Sequence, residues 1–139
     1  MPTPLAAGYS GTPLAAKLGI KASSRVLLVG APAGYAALLE PLPPGVVFAT
    51  HAGPGIDIAQ VFVTQRDDLA AQLASLRKAL ESRTALWVSW PKRASKVATT
   101  VTEDVIRELA LPLGWVDIKV CAVDAVWSGL KLVVRKQLR

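Results

Sequence analysis

The amino-acid sequence predicts a three-layer α/β sandwich, in which a mainly parallel sheet lies between helices and ends in a C-terminal antiparallel hairpin. Three observations carry this reading. Continuous apolar runs such as RVLLVG (Arg25–Gly30) and TALWVSW (Thr84–Trp90) read as strands buried on both faces, as parallel strands are. Helical patterns alternate with these runs through most of the chain. Two strand patterns in direct succession then close it, joined by a short turn.

The elements follow in order. Residues 1–11 are rich in Pro, Gly and Ala and are expected to form a flexible tail, leaving 12–139 as a single domain. Thr12 is an expected N-cap, with Pro13 at the first helical position and Gly19 as the stop. After the Arg25–Gly30 strand, APAGYAALLE turns the chain into a short helix that Pro41 ends. GVVFAT is a second strand and DIAQVFVT a third. The link between them, HAGPGI, is shorter than a parallel crossover normally needs, so the 46–50 strand is either a very short edge or antiparallel. In RDDLAAQLASLRKALE, Leu69, Leu73, Leu76 and Leu80 share one helical face. Acids at its start and bases at its end suit the helix dipole. TALWVSW is the fourth strand. A helix is expected from about Val101, with Thr100 and Glu103 as a capping box, Glu103 paired to Arg107, and Val101, Val105 and Leu109 facing the sheet. WVDIKVCAVD and LKLVVRKQ form the hairpin, with AVWSG as its turn and the last strand as a charged edge.

Composition narrows the function classes. Of 139 residues, 52% are hydrophobic and 19% charged, which suits a filled core. The net charge of +6 makes a basic protein able to bind anions. The single cysteine, Cys121, excludes an internal disulfide and suits a reducing cytoplasm. No signal peptide or membrane span is expected, since Gly and Pro interrupt the apolar stretches. No metal site follows from one histidine (His51) and one cysteine, and no nucleophile signature is present.

LAAKLGIKASSRVLLVGAPAGYAALL resembles the start of a class I S-adenosylmethionine-dependent methyltransferase, where a helix and an apolar strand precede a glycine-rich loop. DIAQVFV is similar to that family's fourth strand and ALWVSWP to its fifth, and the closing hairpin to its reversed last strand. The chain also resembles a family of small bacterial proteins grouped as a domain of unknown function, through TPLAAKLGIK, LLVGAPAGY, LWVSWPKRASKVATTVTEDVIREL and KVCAVDAVWSGLKLVVRK. The resemblance implies a Rossmann-like fold and no particular activity. Where a methyltransferase ends its first strand with an acid, Val29 stands here. Where it ends the second with an acid for the cofactor ribose, VVFATHAG carries none, and one strand–helix unit is missing.

Two loops are candidate sites. GAPAG (Gly30 to Gly34), followed by Tyr35, can present backbone N–H groups to an anion, although Pro32 removes one donor and the spacing matches no standard phosphate loop. The 91–100 loop places Lys92, Arg93 and Lys96 within five residues at the carboxyl end of a strand, where open α/β sheets bind ligands. Ser95, Thr99 and Thr100 add hydroxyls, and Trp90 a ring that can stack on a base. Glu103 and Asp104 compete there for the helix dipole. Trp127 is a second aromatic candidate, and Asp124 a carboxylate without an evident partner.

The reading is a non-catalytic protein of degenerate methyltransferase-like fold, needing no cofactor, that binds a small anionic ligand or an acidic protein through the 91–100 loop. Two alternatives stand beside it: an active methyltransferase using S-adenosylmethionine, and a nucleic-acid binder. The last is disfavoured because no recognised motif or basic helix is present. The oligomeric state is not legible.

Overall fold

The computed structural model describes residues 12–139, and the tail expected over 1–11 lies outside them. Six strands form one sheet in the order β2-β1-β3-β4-β6-β5. They are β1 (Arg25–Val29), β2 (Val47–Ala49), β3 (Ile58–Phe62), β4 (Ala85–Pro91), β5 (Trp115–Ala122) and β6 (Trp127–Val134). The β1–β2, β1–β3 and β3–β4 pairs are parallel, and β4–β6 and β5–β6 antiparallel. Helices α1 (Leu14–Leu18) and α2 (Tyr35–Leu38) cover one face; α3 (Arg66–Ala79) and α4 (Glu103–Ala110) cover the other. The fold is the mixed α/β sandwich with a C-terminal hairpin that the sequence predicts.

The open question of the second strand has a geometric answer. β2 is a parallel edge three residues long. Ala49 lies level with Leu27, and Ile58 with Val26. The crossover therefore descends by one residue only, so the short link suffices, and Ile56 buries itself on the α3 face as it passes.

Each sheet face has its own core. Leu69, Leu73 and Leu76 of α3, with Ile106 and Ala110 of α4, pack on Ala59, Val61, Leu86, Val88 and Trp90. On the other face, Leu18, Tyr35 and Leu39 pack on Val26, Ile58, Phe62 and Trp87. Trp87 is fully buried, and its indole N–H donates to the Leu18 carbonyl at 3.0 Å, tying α1 to the sheet. A polar chain crosses this apolar layer: the Tyr35 hydroxyl donates to Gln60 Oε1 at 2.7 Å, and Gln60 Nε2 to Ser89 Oγ at 3.0 Å. Every buried polar side chain among the described residues has a partner, as a low-dielectric interior demands.

Three local expectations are corrected. α4 is capped by Thr102, whose hydroxyl accepts from the Val105 N–H at 3.1 Å, because Thr100 is engaged elsewhere. The hairpin turn precedes Trp127: the Asp124 carboxylate accepts from the Val126 and Trp127 N–H groups at 2.8 Å, leaving Trp127, Ser128 and Gly129 in β6. β6 is not the edge, since the hairpin inserts it beside β4, and the edge is β5, which carries a bulge between Asp117 and Lys119.

Candidate functional site

The carboxyl ends of β1, β3 and β4 open on two neighbouring cavities. The larger, about 520 Å³, lies beyond β4 and is lined by Trp90, Pro91, Arg93, Lys96, Thr99 and Glu103, with apolar walls from Val97 and Val101. β4 ends at Pro91, which stops the ladder, and the chain makes a single 3₁₀ turn at Arg93–Ser95. Lys96 follows in the left-handed conformation at φ 63°, which turns the chain back toward α4. Ser95 fixes this turn: its hydroxyl donates to the Lys92 carbonyl at 2.7 Å and accepts from the Val97 N–H at 3.2 Å. Thr99 donates to the Thr64 carbonyl at 2.7 Å and accepts from the Val101 N–H at 3.0 Å, pinning the loop to β3. The Thr100 hydroxyl accepts from the first N–H of α3, that of Arg66, at 2.7 Å.

Electrostatics favour an anion in this cavity. Arg93 and Lys96 are exposed and have no carboxylate partner among the described residues. One cation is shared by three carboxylates here: Arg107 binds Glu103 at 2.7 Å, Asp104 at 3.2 Å and Asp117 at 3.0 Å. These bonds, Asp117 first and Glu103 next, hold the Arg107 guanidinium above its ordinary pKa. Asp117 of β5 shares Arg107 with them, and Glu103 itself lines the cavity, so the expected competition from Glu103 and Asp104 stands.

The structure brings Trp90, Arg93, Lys96 and Thr99 to one cavity wall. Lys92 is not part of that wall; its N–H donates to the Val126 carbonyl at 2.7 Å, continuing the β4–β6 pairing past Pro91. Trp90 is 8% exposed and packs mainly into the α3 face, so it offers an edge rather than a stacking platform. Val97, Val101 and Thr102 are lining residues that sequence reasoning did not single out. Val97 and Val101 are spaced as any helix-leading apolar pair, which carried no signal for a site.

The second cavity, about 350 Å³, lies at the ends of β1 and β3 and is lined by Val29, Gly30, Phe62, Thr64, Asp68, Gln72 and Trp127, among others. Of the glycine loop, Gly30 alone reaches it. Gly30 has φ 71°, and a Cβ there would stand 3.0 Å from the Phe62 carbonyl oxygen, so its small size serves packing of the loop on β3. Gly34 caps α2 in the left-handed conformation with nothing within 4 Å of a Cβ. Tyr35 is buried against Phe62, its ring edge-on at 4.7 Å, and burial pushes its phenol pKa well up while the Gln60 bond pulls it down. His51 Nδ1 lies 2.9 Å from the Thr50 hydroxyl. Half-burial pushes the Cys121 thiol pKa up.

This geometry has counterparts. A protein assigned as a type 11 methyltransferase from Sulfolobus solfataricus superposes with a TM-score of 0.62 at 10% identity, over 88% of this chain and 90% of that one. Aeropyrum pernix fibrillarin with natively bound S-adenosyl-L-methionine gives 0.56 at 15% identity, over 86% and 73%. The methylase of a ribosomal protein from Lactobacillus delbrueckii subsp. bulgaricus gives 0.54 at 10%, over 80% and 69%. The fold is that of the class I methyltransferases. At these identities the likeness is one of fold alone. No family model and no curated protein matches the chain.

Some features of this chain depart from the S-adenosylmethionine pattern that the sequence resemblance implies. β2 ends at Ala49 and continues into Thr50 and His51, with no carboxylate for a ribose. The Tyr35 N–H at the start of α2 already donates to the Pro32 carbonyl at 3.1 Å, and Pro32 has none to offer. α2 is only four residues long.

Proposed function

We propose that this chain is a non-catalytic binding protein on the methyltransferase fold, taking small anionic molecules in the cavity beyond β4. One observation carries the reading: Arg93 and Lys96, both without carboxylate partners among the described residues, flank a 520 Å³ cavity beside the end of β4. A phosphate or carboxylate gains charge-assisted hydrogen bonds from both, and the apolar wall of Val97, Val101 and the Trp90 edge accommodates an organic portion. A carboxylate on an acidic partner protein presents the same group. The single cysteine suits the cytoplasm, where we place the protein.

A second reading, methyl transfer with S-adenosylmethionine, is favoured by the 350 Å³ cavity at the β1 and β3 ends and by the cofactor-bound fibrillarin of like fold. The missing carboxylate on β2 and the engaged glycine loop oppose it.

Thermal unfolding in sulfate, phosphate or nucleoside monophosphates tests the first reading. A ligand at a hundredfold excess over Kd stabilises the native state by about 2.7 kcal/mol. The wild type is expected to show such anion-dependent protection, and Arg93→Ala plus Lys96→Ala to lose it while melting like wild type without anions. Equal protection of both proteins contradicts the assignment.

A further inference from the structure

The opposite end of the sheet, where the parallel strands begin, gathers cations from several elements. Lys21 leads into β1, Lys78 lies in the last turn of α3, and Arg83 leads into β4. Lys131 lies in β6, and Arg135 and Lys136 follow its end. Of the acids at this end, Asp57 and Glu81 are bound to Arg83, at 2.7 and 3.3 Å, and Asp117 of β5 to Arg107 at 3.0 Å. The Arg25 N–H and the Arg83 guanidinium hold the Asp57 carboxyl below its usual pKa, so it stays charged and paired. Among the described residues, Lys21, Lys78, Lys131, Arg135 and Lys136 have no carboxylate partner.

Lys21, Arg83 and Lys131, with Ser23 and Asp57, line a notch of about 510 Å³; Lys78, Arg135 and Lys136 lie outside it. Its walls are fixed. The Lys21 N–H donates to Ser24 Oγ at 3.0 Å, and the Lys131 ammonium lies 6.0 Å from the Trp87 ring centroid. From β1 to β6 the row crosses three strand spacings, about 14 Å at roughly 4.8 Å each. One nucleic-acid strand in a duplex places a phosphate about every 3.4 Å along the axis, so such a row faces about four of them.

We infer that this end of the sheet binds the phosphate backbone of a nucleic acid without reading its sequence. No basic helix announces the surface, because separate loops and strand ends assemble it. No tryptophan is exposed there to stack on bases, since all four are buried or half-buried. An anionic membrane, which needs an apolar or aromatic anchor in addition to charge, is the outcome that the vesicle measurement below distinguishes. Exposed large apolar side chains at this end include Val47 at the start of β2 and Ile118 at the β5 bulge, besides Leu111 and Leu138.

Fluorescence anisotropy with labelled mixed-sequence single strands and duplexes, from 50 to 200 mM salt, tests the inference. With four phosphates neutralised, affinity for duplex is expected to fall about 100-fold over that range. Lys21→Glu, Lys78→Glu and Lys136→Glu together replace exposed cations, and circular dichroism and melting verify the fold. This triple variant is expected to weaken binding at least 100-fold and to flatten the salt slope by about three. An equal charge change at the opposite end, Lys92→Glu with Arg93→Glu and Lys96→Glu, is expected to cost less than a tenth of that. Three results overturn the inference: no binding by wild type at 50 mM salt, equal losses in the two variants, or capture by phosphatidylserine vesicles without nucleic-acid binding. The anion-protection experiment tests the Arg93–Lys96 cavity separately, with small anions only.

Discussion

Trp87→Ala is expected to lower the unfolding free energy by about 3–5 kcal/mol, the range for deleting a large buried aromatic. The indole is fully buried at the centre of the sheet and packs under α1. Its neighbours have no slack to refill the space. Gly129 lies so close that a Cβ there would stand 3.2 Å from the Trp87 ring, and the Leu18 carbonyl would lose its 3.0 Å donor. Urea denaturation provides the check: the midpoint is expected to fall with an unchanged m-value. A loss under about 1 kcal/mol would mean that α1 collapses into the vacated volume, contrary to the tight packing described.

Gly30→Ala is expected to destabilise by about 2–4 kcal/mol with no ligand present. A left-handed residue with a Cβ costs roughly 1–2 kcal/mol. Overpacking against a fixed backbone carbonyl adds about 1–3 kcal/mol. The Phe62 carbonyl belongs to β3, hydrogen-bonded on both sides, and cannot move aside easily. A glycine kept for close approach of a cofactor would show only the left-handed cost of about 1–2 kcal/mol, with ligand affinity lost. Chemical denaturation of the ligand-free protein separates the two roles.

Much of the architecture was legible because it depends on local pattern. The leucine stripe of α3 faces the core, and the runs at Arg25–Val29 and Ala85–Pro91 are strands with apolar residues on both faces. β2 was ambiguous because three residues carry no period, and its direction depends on the level at which β3 begins. The threonines were interchangeable by spacing. Thr100 serves Arg66, 34 residues away, and Thr99 serves Thr64, 35 residues away, which leaves Thr102 to cap α4. Gln60 looked like an ordinary strand residue until Tyr35 and Ser89 were placed on either side of it. The cations of the 91–100 loop were visible as a cluster in the sequence. Their role as a wall was not, because the turn places Arg93 and Lys96 at the cavity and leaves Lys92 outside it.

Isothermal titration calorimetry tests the central claim most directly. Phosphate, a nucleoside monophosphate and S-adenosylmethionine would each be titrated into the wild type and into Arg93→Ala plus Lys96→Ala. The account predicts that wild type binds at least one of the two simple anions, that the double variant loses that binding, and that S-adenosylmethionine shows no affinity better than about 1 mM, a free energy near −4.1 kcal/mol. Sub-millimolar binding of S-adenosylmethionine that survives the double substitution would contradict it and return the site to the β1–β3 cavity.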